Sequence, residues 1–155
     1  MNEQVQAEFK KIFNGRFSTS ESTRANYARG EDTYDPVLSK AVVFPETNEE
    51  VSKILSLCNE HKIPVVPFGT GTSLEGNVVG NEKGITISLE KMNKILSVNA
   101  EDFDCRVQAC VTKEQLNEYL REDGVFFPID PGANAAIGVW HPHQLQGLWR
   151  LSMAQ

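Results

Sequence analysis

The chain has 155 residues, of which 40% are hydrophobic and 23% charged, and its formal net charge is −6 at pH 7. These values are typical of one ordinary globular domain, and the negative charge argues against a nucleic-acid-binding surface, which requires a basic face. No apolar run reaches the length of a membrane-spanning helix, so we expect no transmembrane segment.

The three cysteines show no pairing motif. Because Cys58, Cys105 and Cys110 lack C-x-x-C spacing, we expect free, buried thiols in a reducing compartment and no metal site. The N-terminus carries acidic residues and no apolar segment, so it resembles neither a secretory signal nor a typical mitochondrial presequence.

The first 35 residues are mostly polar, and we predict an N-terminal extension there. Phe9, Ile12 and Phe13 can share one face of a short helix, whereas residues 18–35 show no periodicity and predict irregular chain. The apolar run at 41–45 ends in a proline, which indicates a short buried strand.

Thr47 and Glu50 form a capping box, which predicts the start of a helix. A second apolar run, 63–66, follows this helix and leads into a glycine-rich loop. A strand, a helix and a strand within about thirty residues predict a βαβ unit with parallel strands. The predicted apolar stripe of the helix consists of Val51, Ile54, Leu55 and Cys58.

Alternating apolar residues at 85–89 predict a half-buried strand, and residues 95–98 and 105–111 predict two more. Thr112 and Gln115 form another capping box, and Gly124 is expected to end that helix in the left-handed conformation. The predicted buried face of this helix consists of Leu116, Tyr119 and Leu120.

The glycine-rich loop follows a buried strand, which is where α/β proteins usually bind their ligands. Glycines permit positive φ and let backbone N–H groups approach a phosphate closely. The glycine spacing beyond Gly71 excludes the dinucleotide fingerprint, and Asn77 stands where a P-loop has its lysine. From spacing alone, a glycine-rich turn without any ligand is an equal alternative.

Two stretches together resemble a known family. The run VVPFGTGTSLEG at 65–76 closely resembles the pyrophosphate loop of the vanillyl-alcohol-oxidase-like flavoproteins, and VFFPIDPGANAAIG at 125–138 resembles their second FAD-contacting signature. Residues 33–45 and 99–112 are similar to further segments of the family. Within it, the most similar branch is that of cytochrome-linked D-lactate dehydrogenases and glycolate oxidase flavin subunits.

The resemblance implies an α+β fold, a p-cresol-methylhydroxylase-type FAD-binding domain. Residues 36–138 would form part of this domain, as an N-terminal βαβ subdomain and the start of a mixed-sheet subdomain. FAD would be bound noncovalently, because covalent members carry histidine where Thr72 stands. The residues implied to bind FAD are Pro67, Gly69, Thr70, Gly71, Thr72, Ser73, Gly76, Pro131, Gly132, Ile137 and Gly138.

The resemblance also implies a reaction and its partners. Hydride would pass from a small-molecule D-2-hydroxyacid such as D-lactate to FAD, and electrons would then pass to cytochrome c or another acceptor. The protein would be mitochondrial in a eukaryote and cytoplasmic otherwise. Catalytic residues stay unknown, because those of the family lie in segments outside residues 1–155. A catalytically inactive product and a stand-alone nucleotide-binding module therefore stay open as alternatives.

The resemblance stops after Gly138. Residues 139–155 show no strand-like pattern, and we do not expect His141 and His143 to bind a metal. A one-base shift in the codon after Gly138 permits the reading MASTSASGTMAVKYGT, which fits the family's next segment at every position. We therefore predict that residues 139–155 are an out-of-frame tail.

Overall fold

The computed structural model describes residues 3–129, 134–140, 148–150 and 152–153. The chain divides into two compact units, Met1–Lys91 and Met92–Gln155. The helices and strands are, in chain order, α1 (Glu3–Ile12), β1 (Phe17–Ser18), α2 (Glu21–Asn26), β2 (Val42–Val43), α3 (Asn48–Glu60), β3 (Val65–Phe68), β4 (Ile85–Ser88), β5 (Ile95–Asn99), β6 (Asp104–Val107), α4 (Lys113–Leu120), β7 (Val125–Phe126), α5 (Ile137–Trp140), β8 (Leu148–Arg150) and β9 (Ser152–Met153). No helix among the described residues is long and apolar enough to span a membrane.

The first unit is built on a four-stranded mixed sheet in the order β1–β2–β4–β3. Strands β2 and β3 both lie parallel to β4, and β1 pairs with β2 in the antiparallel direction. The predicted βαβ unit of β2, α3 and β3 is therefore confirmed as parallel. Its two strands are not neighbours, however, because β4 lies between them.

The apolar core of this unit packs helices α1 and α3 against the sheet. The N-terminal residues that we predicted as an extension contribute to it, because α1 has apolar residues one turn apart on a single face. The core residues are Val5, Phe9, Phe13, Ala41, Val43, Ile54, Cys58, Ile85 and Ile87.

Strand β4 is buried on both faces, so the expectation of a half-buried strand was wrong. Thr86 and Ser88 are as inaccessible as the apolar residues that alternate with them. The Thr86 and Ser39 hydroxyls lie 2.8 Å apart, and the Asn81 N–H donates to the Ser39 hydroxyl at 3.1 Å. Hydrogen bonds of this kind allow polar groups to be buried without a large loss of stability.

Both predicted helix caps are present. The Thr47 hydroxyl accepts the N–H of Glu50 at 3.2 Å, and the Thr112 hydroxyl accepts the N–H of Gln115 at 3.2 Å. Each bond satisfies a backbone donor that has no partner within the first helical turn. Gly124 also has the predicted left-handed conformation, with φ +67°.

Three local expectations were wrong. Leu55 and Tyr119 are 47% and 59% exposed, so neither belongs to the buried face of its helix. Residues 18–35 are not wholly irregular, because they include α2. This short helix is capped by Ser20, whose hydroxyl accepts the N–H of Thr23 at 3.3 Å.

An ion pair joins the chain after α1 to the start of α3. The Arg16 guanidinium donates two hydrogen bonds of 2.5 Å to the Glu50 carboxylate and a third, of 3.1 Å, to the Phe44 carbonyl oxygen. The hydrogen bonds from Arg16 lower the pKa of Glu50 to about 2. Two-pronged pairing of this geometry is among the stronger ionic contacts in proteins.

The second unit contains an antiparallel pair, β5 and β6, to which β8 is added, and a separate pair of β7 with β9. Strands β8 and β9 lie within residues 139–155, where the sequence shows no strand-like pattern. The core cluster among the described residues of this unit includes the buried face of α4. It consists of Cys105, Val111, Leu116, Leu120, Val125, Phe127 and Ile137.

All three cysteines are free in the structure, and their burial confirms the expectation of buried thiols. Burial raises the pKa of Cys58 to about 11, and burial together with the nearby Asp104 raises the pKa of Cys105 to about 11. Since the thiolate is the reactive form, these thiols are chemically inert at neutral pH.

Candidate functional site

The glycine loop is the connection between β3 and β4. Strand β3 ends at Phe68, and the chain re-enters the sheet beside it at Ile85. Parallel neighbours need a crossover of about a dozen residues or more, which is usually helical. Here the described crossover contains no helix. The loop begins at the carboxyl end of β3, the end of a parallel sheet where ligands bind.

Two positions of the loop require glycine. Gly71 and Gly76 have φ values of +77° and +72°, in the left-handed region that other residues avoid. A Cβ atom on Gly71 would lie 3.0 Å from the ring of Phe68, and one on Gly76 would lie 2.7 Å from the ring of Tyr34. The left-handed backbone and the close packing therefore both require glycine at positions 71 and 76.

The middle of the loop offers a row of backbone donors. Within the described part of the chain, the N–H groups of Gly71, Thr72 and Ser73 donate to no other residue. The hydroxyls of Thr70 and Thr72 lie 3.4 Å apart beside them. Successive N–H groups next to a left-handed residue form a concave site that suits an anion. A pyrophosphate, which offers only acceptor oxygens, fits this set of donors.

The loop has no positive side chain of its own. Residues 67–80 include no Lys, Arg or His, and their one charged residue is the exposed Glu75. An anion bound here would be held by backbone dipoles and hydroxyls, without a cation from the loop.

A turn upstream of β2, which the sequence analysis did not single out, packs against the loop. The N–H of Glu31 donates to the carbonyl oxygen of Gly71 at 2.9 Å. The buried carboxylate of Asp32 accepts the N–H groups of Gly30 at 3.1 Å and Tyr34 at 3.0 Å. The Gly-x-Asp spacing is the signal that was available, since Asp and Gly favour such turns.

Aromatic rings support the loop where it leaves the sheet. The ring of Phe68 meets that of Tyr27 edge to face, with 5.0 Å between centroids, and Tyr27 also meets Phe44 at 5.6 Å. The Tyr27 hydroxyl donates to Glu90 at 2.6 Å. Because Phe68 also touches Gly71, this cluster fixes the first half of the loop from the side of the sheet.

The remaining predicted residues of the first unit lie at the start of the loop. Pro67 belongs to β3, opposite Ile87, on an edge strand where a proline is tolerated because no ladder donor is lost. Gly69 is buried and follows β3 directly. The first unit therefore brings together all seven predicted residues from Pro67 to Gly76.

Of the other predicted residues, Ile137 and Gly138 belong to the second unit. Pro131 and Gly132 lie outside the described residues, as do His141 and His143. The N–H of Ile137 donates to Val111 and that of Gly138 to Ala109, each at 2.9 Å. Any contact of Ile137 or Gly138 with a ligand would therefore use other atoms. The described residues contain no group of three or more His, Cys, Asp or Glu that could hold a metal ion.

Residues 39–140 match the family model described as a FAD binding domain. The chain belongs to this FAD-binding family. It is 41% identical over 120 residues to the probable mitochondrial D-lactate dehydrogenase of Danio rerio, a match that covers 77% of this chain and 24% of that protein. It is 37% identical to the mitochondrial D-lactate dehydrogenase [cytochrome] of Arabidopsis thaliana, over 85% of this chain and 24% of the relative. The chain thus spans about a quarter of the length of these relatives.

Solved structures show the same fold. Alkyldihydroxyacetonephosphate synthase matches with a TM-score of 0.81 at 19% identity, over 90% of this chain and 29% of the synthase chain. p-Cresol methylhydroxylase matches with a TM-score of 0.77 at 23% identity, over 89% of this chain and 28% of its own. The predicted fold class is therefore confirmed. The chain is a portion of a p-cresol-methylhydroxylase-type FAD-binding domain, of the kind found in D-lactate dehydrogenases, and FAD is its cofactor.

Proposed function

We propose that the loop from Gly69 to Gly76 binds the pyrophosphate of FAD. The observation that carries this proposal is the row of N–H groups at Gly71, Thr72 and Ser73, which has no acceptor among the described residues, next to a left-handed glycine. The family match supports FAD over other pyrophosphate ligands. In this proposal, Pro67 and Gly76 shape the loop, and the Thr70, Thr72 and Ser73 hydroxyls add further donors.

The bond to FAD is noncovalent in this proposal. Residue 72 is a threonine, and residues 67–80 contain neither histidine nor cysteine. A threonine hydroxyl without an adjacent base is a weak nucleophile, so the loop offers hydrogen bonds and no attachment point.

The whole protein is inferred to oxidise a D-2-hydroxyacid, with D-lactate as the first candidate because the relatives carry that name. FAD would supply the hydride acceptor for this oxidation when bound, and the electrons would then pass to cytochrome c or another acceptor. The part of the work assigned to residues 1–155 is to hold and orient the cofactor. Mitochondrial relatives support a mitochondrial location if the source is eukaryotic.

The test is a titration of the purified chain with four ligands that differ in their phosphates: FAD, ADP, FMN and riboflavin. We expect binding of FAD and ADP, which share the pyrophosphate, with weaker binding of FMN and the weakest of riboflavin. Quenching of flavin fluorescence gives the flavin affinities, and competition gives that of ADP. Equal affinity for riboflavin and FAD would refute a pyrophosphate site. In the same competition assay with ATP and NAD added as further ligands, a preference for either over FAD would instead support a stand-alone nucleotide-binding module.

A second candidate is a chain that binds FAD without turning over a substrate. Among the described residues the only histidine is His61, which is exposed at the end of α3, so no histidine adjoins the loop as a general base. We expect no reduction of a dye acceptor by D-lactate, even with FAD bound. Turnover above that of free FAD would contradict this candidate.

A further inference from the structure

The turn formed by residues 30–34, here called the 30–34 turn, contacts the carbonyl side of the glycine loop. A Cβ atom on Gly30 would lie 2.5 Å from the carbonyl oxygen of Gly71 and 3.0 Å from that of Ser73. The N–H of Glu31 donates to the same Gly71 oxygen at 2.9 Å. The turn therefore meets two alternate carbonyl oxygens of the loop.

This contact fixes the direction of the loop's N–H groups. The described peptide bonds are all trans, and in a trans peptide unit the carbonyl oxygen and the following N–H point in opposite directions. Because the oxygen of Gly71 faces Gly30, the N–H of Thr72 points away from the turn. The oxygen of Ser73 imposes the same direction on the N–H of Leu74. The carbonyl oxygens of Gly71 and Ser73, which would repel an anion, are thus turned toward the 30–34 turn, and the N–H groups of Thr72 and Leu74 point to the other side.

The 30–34 turn is itself held in place by a buried charge. The residue Asp32 is 7% exposed, and its two carboxylate oxygens accept the N–H groups of Gly30 and Tyr34. The ring of Tyr34 packs on Gly76, at the far end of the loop. Charge-assisted hydrogen bonds of this type are stronger than neutral ones, so Asp32 keeps Gly30 in register with the middle of the loop and Tyr34 in register with its far end.

We propose that the 30–34 turn orients the glycine loop for pyrophosphate, with Gly30 and Asp32 as positioning residues for the FAD site. This inference rests on the proposed function, because it assigns a cause to the arrangement of donors that would bind the anion. Neither residue needs to contact FAD. Gly30 allows the close approach that captures the Gly71 carbonyl, and Asp32 fixes the position of Gly30.

The first variant is Gly30→Ala in the full chain. Its methyl group would collide with the backbone oxygen of Gly71, so the peptide unit between Gly71 and Thr72 must rotate or move away. We expect FAD to bind about tenfold more weakly or worse, the effect of losing one hydrogen bond to a charged group. The dissociation constant is measured by flavin fluorescence, at a temperature where circular dichroism shows the variant to be fully folded.

The matched control is Gly84→Ala. A Cβ atom on Gly84 would also collide with backbone, at the carbonyl of Pro64, in the same unit but before the start of β4. We expect this variant to lose stability as Gly30→Ala does and to bind FAD like the unmodified chain. Asp32→Asn is the second test variant, because it adds no bulk. Its amide keeps one acceptor oxygen instead of two, so we expect the dissociation constant for FAD to rise a few-fold.

The outcomes separate this inference from the proposed function. If the unmodified chain does not bind FAD, the proposed function fails and the inference fails with it. If the unmodified chain binds FAD and both Gly30→Ala and Asp32→Asn bind it equally well, only the inference is overturned. If Gly84→Ala loses as much FAD affinity as Gly30→Ala, the inference is also overturned, because lowered stability would then explain the weaker binding in both variants. Gly30→Ala should weaken the binding of ADP and of FAD by the same factor. Weaker binding of FAD alone would contradict a role specific to the pyrophosphate.

Discussion

Replacement of Gly71 by alanine tests the shape of the loop and its ligand together. At φ +77° an alanine is strained by about 1–2 kcal/mol. Its methyl group would also lie 3.0 and 3.2 Å from two ring atoms of Phe68, whose ring is backed by Tyr27. Overpacking of this kind typically costs about 1–3 kcal/mol. We therefore expect Gly71→Ala to lower the free energy of unfolding by about 2–5 kcal/mol.

Gly15 supplies the matched control. It has φ +73°, but an added Cβ would have no neighbour within 4 Å. Gly15→Ala therefore carries only the backbone strain of about 1–2 kcal/mol. The difference between the two variants, measured by urea unfolding, isolates the contact with Phe68.

The same two variants are then titrated with FAD. Gly71→Ala should bind FAD at least about tenfold more weakly, since the N–H groups next to residue 71 must move, whereas Gly15→Ala should bind it normally. Equal unfolding free energies for the two variants would refute the packing argument. Unchanged FAD affinity in a folded Gly71→Ala protein would refute the placement of the pyrophosphate.

Three other predictions concern stability, thiol chemistry and the reading frame. Because Arg16 lowers the pKa of Glu50 from 4.5 to about 2, the pair stabilises the fold above pH 4.5. This contribution to stability, at most about 3 kcal/mol, is lost as the pH falls from 4.5 toward 2. In the Glu50→Gln variant, the free energy of unfolding measured with urea should not show this decrease. With a thiol pKa near 11, Cys58 should react with a thiol reagent at pH 8 only as fast as the chain unfolds; rapid labelling of the folded chain would contradict its burial. Sequencing of the source DNA and transcript across the codon after Gly138 should reveal a one-base deletion, and an unbroken frame with no family-like neighbour would exclude the out-of-frame tail.

The main elements of the fold could be predicted because local signals and tertiary packing agree. The caps at Thr47 and Thr112 fixed two helix starts, and the parallel βαβ pattern followed from short apolar runs. Leu55 and Tyr119 were wrongly predicted to be buried. An apolar stripe indicates which side of a helix faces the core, but it does not indicate how wide the covered part of that side is. Helix α2 was missed because its stability comes from a Ser20 cap and not from apolar periodicity.

The glycine loop was identified from the sequence, whereas the turn that supports it was missed, although its Gly-x-Asp spacing was an available signal. Burial of Thr86 and Ser88 was also missed, because alternation indicates a polar face without saying whether another segment covers that face. The partner that makes the burial of Thr86 tolerable, the Ser39 hydroxyl, lies far away in the sequence. The same holds for Gly30 and Gly71, whose contact depends on close approach of two backbones and leaves no pattern of side chains.

The position of β4 between β2 and β3 has a consequence for the order of assembly. Strand β3 has β4 as its sheet partner among the described strands, so β3 cannot dock until the glycine loop has turned back on itself. Sheet completion and loop closure are therefore one event during folding. A ligand that binds only the closed loop would stabilise the whole first unit in proportion to the logarithm of its concentration. FAD would then stabilise the folded first unit, and the chain should resist proteolysis better in a cell that is well supplied with flavin.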